Sequence, residues 1–157
     1  ADSGPGGLWA NDLVLPPDSV KSLQGVRVLE KPALITSFRP HMHMRGRAQS
    51  LQAIYPDGSR KMLARVDKYD HSWQINYEFA EDAAPLLPQG TMLMITSTWD
   101  NTADNPNNPD PRQWVVFGQR GVDEMSHLWL GITYLSEDQF DRLTAERNAR
   151  LTAASGE

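Results

Sequence analysis

Cysteine is absent from this chain of 157 residues. Its absence excludes disulfide frameworks, thiolate metal sites, iron–sulfur clusters and cysteine nucleophiles. Any transition-metal site must therefore be built from His, Met or carboxylate side chains. The sequence contains four His and six Met residues, and their placement carries most of its functional information.

A basic surface and a long hydrophobic run are also missing. Lys and Arg number 15 and Asp and Glu number 20, so the net charge is −5, and no basic stripe typical of nucleic-acid binding is present. No run approaches the roughly 18 apolar residues of a membrane-spanning helix. We therefore expect no nucleic-acid partner and no membrane span. Hydrophobic residues make up 39%, which still permits one folded domain.

The start of the chain has neither a Met nor the charged n-region of a secretory signal peptide. Such an opening is expected of a processed chain or an excised segment. Gly and Pro are concentrated in residues 1–18, and we predict an irregular lead-in over residues 1–24. Leu8, Trp9 and Leu13 are its candidates for packing on the domain.

Short β-type segments separated by turn residues fill residues 25–135. The clearest pair is a hairpin over residues 51–66, whose turn Pro56-Asp57-Gly58-Ser59 combines a fixed φ, an Asx turn and a glycine. Strands spaced at roughly 8–12 residues predict an all-β fold, an antiparallel β-sandwich or jelly roll. The predicted strands are 26–29, 33–38, 51–55, 61–66, 73–79, 91–99, 114–117 and 125–134.

Two segments depart from the strand pattern. Residues 100–112 are rich in Asn, Asp and Pro and indicate a long loop. After residue 135 the period changes, with Ser136 as an N-cap and Gln139 at the capping-box position. We therefore predict a short amphipathic C-terminal helix within residues 137–151 and a frayed tail, together forming residues 136–157.

The segment His41-Met42-His43 is the sharpest local signal. On an extended chain its two imidazoles share one face and form a chelating pair, although two exposed strand histidines would have the same spacing. A third ligand must come from elsewhere, and His71, His127 and Met125 are the candidates. Three imidazoles suit zinc or copper, whereas two imidazoles and a thioether suit a copper ion that changes oxidation state.

The segment Arg39-Pro40-His41-Met42-His43-Met44-Arg45-Gly46, followed by Tyr55-Pro56-Asp57-Gly58, resembles a known family. It is similar to the C-terminal domain of the copper type II, ascorbate-dependent monooxygenases, such as the peptidylglycine α-hydroxylating and dopamine β-monooxygenases, and most of all to bacterial-type members. The resemblance covers roughly residues 33–134. Its other motifs are Tyr69-Asp70-His71-Ser72-Trp73, Leu87-Pro88-Gln89-Gly90-Thr91, the loop 100–109 and Asp123-Glu124-Met125.

The resemblance implies a jelly-roll β-sandwich that holds one copper ion through His41, His43 and Met125. It also implies that O₂ binds at the reduced copper, that a substrate C–H bond is hydroxylated there, and that ascorbate or a similar reductant supplies electrons. The family keeps this chemistry outside the cytoplasm, so we expect a periplasmic or secreted location. Its substrate would be a small molecule or a peptide.

Several residues depart from the family pattern. Arg39 occupies the position of an arginine that holds the substrate carboxylate in the peptide-amidating members, but it also fits a solvated strand end. His127 and Trp129 replace an Asn and a Tyr that touch substrate there. His127 therefore fits a substrate contact, a group behind the ligands, an extra metal ligand or a plain strand histidine. His71 replaces an aromatic residue, so a packing role is expected.

The family's second copper is bound by three histidines of a separate N-terminal domain, which this chain lacks. We expect such a domain as a partner, in the same protein or in another chain. Two alternatives to a monooxygenase domain stay open. One is a copper-binding module without turnover of its own, and the other is a structural β-sandwich with an idle histidine pair.

Overall fold

Two antiparallel four-stranded sheets form the body of the protein in the computed structural model, which describes residues 13–154. The elements are β1 (Val14–Leu15), β2 (Val20–Val28), β3 (Ala33–Met42), β4 (Gly46–Ile54), β5 (Arg60–Val66), β6 (Tyr77–Glu78), β7 (Leu86–Leu87), β8 (Met92–Asp100), β9 (Val115–Val116), β10 (Ser126–Tyr134) and α1 (Glu137–Ala154). One sheet has the strand order β2-β8-β4-β5. The other has the order β10-β3-β6, with β7 also paired to β3, and β1 pairs with β9 apart from both. The predicted all-β sandwich with a C-terminal helix is confirmed.

The main core lies between the two sheets. Ile35 and Phe38 of β3 pack in one cluster with Leu51 of β4 and Leu93 of β8, and each is at most 2% exposed. Burial of one such side chain stabilises the fold by about 1.5–3 kcal/mol. A second cluster, which includes Met42, Tyr69 and Trp99, continues the core beneath the end of β3.

A β-bulge determines which residues of β3 face water. Ser37 and Ile35 pair with consecutive residues of β10, Gly131 and Ile132, so Thr36 is an extra residue on β3. Before the bulge Ala33 and Ile35 are buried, and after it Phe38, Pro40 and Met42 are buried. The odd-numbered residues that follow the bulge therefore lie on the outer face of the sheet.

The register between β3 and β10 extends this outer face across two strands. His127 lies opposite His41, and Trp129 lies opposite Arg39. Side chains directly opposite each other in an antiparallel pair share a face. The sequence-predicted site residues of both strands are therefore neighbours on the solvent side of the sandwich.

The predicted hairpin and the predicted capping box are both present. Strands β4 and β5 pair around the turn at residues 55–59. At the start of α1, Gln139 N donates to Ser136 Oγ (3.2 Å) and Ser136 N donates to Gln139 Oε1 (2.9 Å). The helix continues to Ala154, beyond the predicted residue 151. Within residues 13–154, no helix is long and apolar enough to cross a membrane.

Two predicted segments differ from the structure. The lead-in was expected to be irregular to residue 24, but β1 lies within it, paired with β9, and β2 begins at Val20. Pairing with β8 orders β2 as an edge strand, and the exposed Val20 gives little sequence signal. Leu13 is buried as predicted, while Leu8 and Trp9 lie outside the described residues. The strand predicted over 73–79 is also wrong in extent, since only β6 forms there.

The reason for the short β6 is a turn in front of it. Asp70 Oδ1 accepts hydrogen bonds from Ser72 N (2.8 Å) and Ser72 Oγ (2.6 Å), and Trp73 N donates to Asp70 O (3.0 Å). These bonds hold residues 70–73 in a turn that competes with extended chain. The turn brings His71 and Gln74 towards the end of β3.

Candidate metal site

All four histidines of the chain lie in one group, which we call the histidine cluster: His41, His43, His71 and His127. The ring centroid of His41 is 5.4 Å from that of His43 and 6.1 Å from that of His127. The rings of His43 and His71 are 5.6 Å apart. Met125 joins the cluster through its sulfur atom, so the three candidates for a third ligand are all close to the His41–His43 pair.

His41 and Met125 are in direct contact. The Nε2 atom of His41 lies 3.0 Å from Met125 Sδ, although the two residues are 84 positions apart in the chain. Met125 is 6% exposed, so the thioether is shielded from water. A thioether sulfur has electron pairs and no hydrogen to donate. The contact is therefore a hydrogen bond if His41 Nε2 carries a proton, and a pair of facing electron-pair donors if it does not.

The side chain of Gln74 fixes the proton of His41 on the other nitrogen. Gln74 Nε2 donates to the backbone oxygen of His71 (2.9 Å), which points Gln74 Oε1 at His41 Nδ1, 2.5 Å away. An amide oxygen only accepts, so Nδ1 must carry the hydrogen. Burial lowers the pKa of His41, and the hydrogen bond to Gln74 opposes that effect while the neighbouring His43 adds to it. In the neutral ring Nε2 then presents its lone pair.

His41 Nε2 and Met125 Sδ are therefore two electron-pair donors that face each other with no proton between them. Neutral donors in such close contact gain little from one another, whereas a cation that both can bind would satisfy them. The residues present thus fit a soft or borderline metal ion. The tautomer of His41 is the feature on which this fit depends.

His43 is held in the same protonation pattern by the backbone. Its Nδ1 lies 3.1 Å from the carbonyl oxygen of Asp123 and donates to it, which leaves Nε2 as the lone-pair nitrogen. The residue is 5% exposed. Its backbone N–H donates to Glu124 Oε2 (3.0 Å). Both imidazoles of the His-x-His pair therefore have their Nε2 atoms free to bind a ligand or metal.

Glu124 ties the two halves of the site together. It is fully buried, and its carboxylate accepts from His43 N (3.0 Å), Arg45 N (2.6 Å) and Trp99 Nε1 (3.1 Å). Burial raises the pKa of Glu124 to about 7, against the hydrogen bonds and the charge of Arg45, which lower it. Because Glu124 directly precedes Met125, these bonds set the distance between the His-x-His pair and the thioether.

The Asn-rich loop at residues 100–112 supports the turn that follows His43. Arg45 is 2% exposed, and its Nε donates to Asn101 Oδ1 (2.8 Å) while its Nη1 donates to Val122 O (2.8 Å). Asn101 is itself buried and donates to Pro16 O (2.8 Å). The loop therefore packs against the base of the site through Arg45.

Tyr69 and Gly46 hold the end of β3 from beneath. The Tyr69 hydroxyl accepts from Met42 N (2.9 Å) and donates to Met42 O (2.7 Å). Met42 is fully buried. A Cβ at Gly46 would lie 2.7 Å from Met42 Cβ and 2.8 Å from the Tyr69 ring. Only glycine permits this close approach.

The solvent side of the cluster carries the residues that were predicted to contact substrate. The Trp129 ring is 49% exposed and lies 5.3 Å from the His41 ring. The Arg39 guanidinium lies 5.3 Å from the centre of the Trp129 ring, and the His127 ring stacks on Trp129 at 5.7 Å and 20°. Arg39, His127 and Trp129 are thus brought together beside His41, and their function stays a prediction.

Gln74 and Glu124 are important residues of the site to which the sequence assigned no role. Glu124 was named only as part of the motif Asp123-Glu124-Met125. Gln74 had no signal in the sequence, because its role depends on a contact with His41, which is 33 residues away in the chain. Within residues 13–154 no three or more His, Cys, Asp or Glu side chains are arranged so that they could hold a metal ion. With the side chains in these positions, a three-ligand centre would therefore include the Met125 thioether.

No protein-family model matches this sequence, and a search of the curated proteins found no match. The assignment of a function therefore depends on the geometry of the histidine cluster and on the resemblance of the motifs.

Proposed function

We propose that this chain binds one copper ion through the imidazoles of His41 and His43 and the thioether of Met125. We further propose that it is the oxygen-binding, substrate-hydroxylating domain of a copper monooxygenase. The observation that carries the proposal is the 3.0 Å approach of His41 Nε2 to Met125 Sδ, with the His41 proton held on the opposite nitrogen. The ordered set of motifs that resembles the copper type II family supports the same assignment.

The ligand types favour copper over other ions. A thioether is a soft ligand that favours Cu(I), and imidazole binds both Cu(I) and Cu(II). Zinc sites rarely include a thioether. When bound, copper would supply one-electron redox chemistry and O₂ binding, with ascorbate or a similar reductant as the electron source.

The protein's own residues would orient the ligands and the substrate. Gln74 and the Asp123 carbonyl hold the two Nδ1 protons, so both imidazoles present Nε2. Arg39 and Trp129 offer a cation and a flat aromatic surface beside His41. These two groups suit a small molecule or peptide with an anionic or planar group, held with its reactive C–H bond towards the cluster.

A second candidate function, a copper-binding module without turnover, is favoured by the location of the histidines. All four histidines of the chain belong to this one cluster, so none is left for a separate electron-transfer centre. A partner domain with its own copper would supply the second electron. Without that partner the chain would act as a copper-binding module with no turnover of its own. A periplasmic or secreted location goes with either proposal.

Titration of the full chain with Cu(I) and with Cu(II) tests the metal site. We expect His41→Ala to weaken binding of both ions, and Met125→Ala to weaken Cu(I) binding, by at least about 10-fold. Met62→Ala is the matched control, because Met62 is exposed on β5 of the other sheet. Unchanged copper affinity in both site variants would overturn the proposal. Ascorbate-dependent hydroxylation of a model substrate by the copper-loaded chain then separates the monooxygenase from the binding module.

A further inference from the structure

We propose that His127 is an alternative ligand of this site, which takes the place of Met125 when the bound ion is Cu(II). The cluster would then offer two ligand sets, His41 and His43 with a thioether for Cu(I), and the same pair with a third imidazole for Cu(II). This inference rests on the proposed copper site and adds a redox-dependent choice of ligand to it.

The positions of His127 and Met125 make such an exchange short. Met125 directly precedes β10, and His127 is the second residue of β10, so they are two positions apart and both lie beside His41. Met125 Sδ touches His41 Nε2, and the His127 ring centroid is 6.1 Å from that of His41. The second separation is similar to the 5.4 Å between the His41 and His43 rings. Exchange would therefore need side-chain rotation and no change in strand register.

His127 is also the histidine with the greatest freedom to move. Within residues 13–154 no hydrogen bond holds its ring, which is exposed to solvent and stacks on Trp129. His71, by contrast, has its Nδ1 within 3.1 Å of both Met42 O and Gln74 Nε2. Of the two histidines outside the proposed ligand set, His127 is thus the one free to reach an ion.

Ligand chemistry gives the exchange its direction. Thioether sulfur favours Cu(I), whereas Cu(II) prefers nitrogen donors in a more planar arrangement. When a one-electron oxidant such as ferricyanide removes one electron from Cu(I), the sulfur of Met125 would leave and the lone pair of neutral His127 would bind. Both ligands are neutral, so the exchange moves no proton.

Pulsed EPR on the Cu(II)-loaded full chain tests the proposal. We expect coupling to three imidazoles in the wild type and to two in His127→Ala. We also expect His127→Ala to weaken Cu(II) binding by at least about 10-fold while Cu(I) binding is unchanged. Met125→Ala should give the opposite pattern. His71→Ala is the matched control and should keep three coupled imidazoles.

The outcomes separate this inference from the copper site itself. Two coupled imidazoles in both the wild type and His127→Ala would overturn the ligand exchange and leave the proposed His41, His43 and Met125 site intact. Equal losses of Cu(I) and Cu(II) affinity in His127→Ala would overturn it as well, since His127 would then be a permanent ligand. Failure of the wild type to bind either ion would overturn both proposals. Circular dichroism and thermal unfolding confirm that each variant is folded.

Discussion

Gln74 Oε1 lies 2.5 Å from His41 Nδ1, on the side of the ring opposite the nitrogen that faces Met125. This contact determines the tautomer of His41. Gln74 is in turn oriented by the backbone carbonyl of His71, to which its Nε2 donates at 2.9 Å. The backbone carbonyl of His71 therefore determines, through the side-chain amide of Gln74, which nitrogen of His41 carries the proton.

The first prediction concerns this hydrogen bond. Replacing Gln74 with Leu removes the acceptor, so His41 should no longer favour the tautomer with a proton on Nδ1. Nitrogen chemical shifts of the ring in the metal-free protein measure the tautomer directly. Copper affinity should fall by about 10–100-fold, as is usual when a partner of a metal ligand is lost.

Gln74→Glu serves as the comparison, because it retains an acceptor for His41 Nδ1 although it loses the N–H that donates to the His71 carbonyl. We expect it to keep the Nδ1-protonated tautomer that Gln74→Leu loses. If the ring of His41 has the same tautomer in wild type and in Gln74→Leu, the positioning role of Gln74 is wrong, whatever happens to copper affinity.

The second prediction concerns the buried carboxylate of Glu124. In Glu124→Gln the amide NH₂ replaces one acceptor oxygen and faces a backbone N–H, most directly that of Arg45, whose N lies 2.6 Å from Oε1. An unsatisfied buried donor costs about 1–3 kcal/mol. Urea unfolding should show a loss of that size. Glu78→Gln makes the same change at an exposed residue of β6, and a similar loss in both variants would contradict the prediction.

The third prediction tests the close packing at Gly46. A Cβ there would lie 2.7 Å from Met42 Cβ, so Gly46→Ala should lower the free energy of unfolding by about 1–3 kcal/mol. Gly121→Ala is the control, because its Cβ would meet only Met44 Cε at an ordinary 3.6 Å. Thermal denaturation of the two variants side by side measures the difference, and equal stability would refute the packing argument.

The fourth prediction concerns the start of α1. Ser136→Ala removes the hydroxyl that accepts from Gln139 N at 3.2 Å, and loss of an N-cap costs about 0.5–2 kcal/mol. Helical ellipticity and the unfolding midpoint should both decrease. Ser136→Asp should restore them, since aspartate also caps helices. No loss in the alanine variant would mean that the cap adds nothing to stability.

Local patterns in the sequence were sufficient for the hairpin, the cap and long strands such as β8. Alternation along residues 91–99 and the turn at 56–59 are properties of neighbouring residues, as is the pairing of Ser136 with Gln139. The same is true of His41 and His43, which share a face because they are two positions apart on a strand. These features correspond closely to the structure for that reason.

The other parts of the site depend on contacts that no local pattern contains. The spacing of the residues left His71, His127 and Met125 open as candidates for a third ligand, and only the family resemblance pointed to Met125. Only the pairing of β3 with β10 brings Met125 to His41, and only the turn at residues 70–73 brings Gln74 there. The exposed edge strand β2 likewise forms because it pairs with its neighbouring strand, and this pairing is a tertiary contact.

The extra residue on β3, Thr36, has a consequence for the whole centre. Strand side chains alternate strictly, so one inserted residue reverses the parity of every position after it. If β3 alternated regularly through Thr36 and Ser37, with no bulge to absorb the extra residue, His41 and Arg39 would point into the apolar interior and Met42 would face water. Access of a dissolved gas, a reductant or a substrate to this centre thus depends on the one extra residue that the bulge places in β3. Gly131 makes room for it, since a Cβ there would lie 2.4 Å from Thr36 Oγ1.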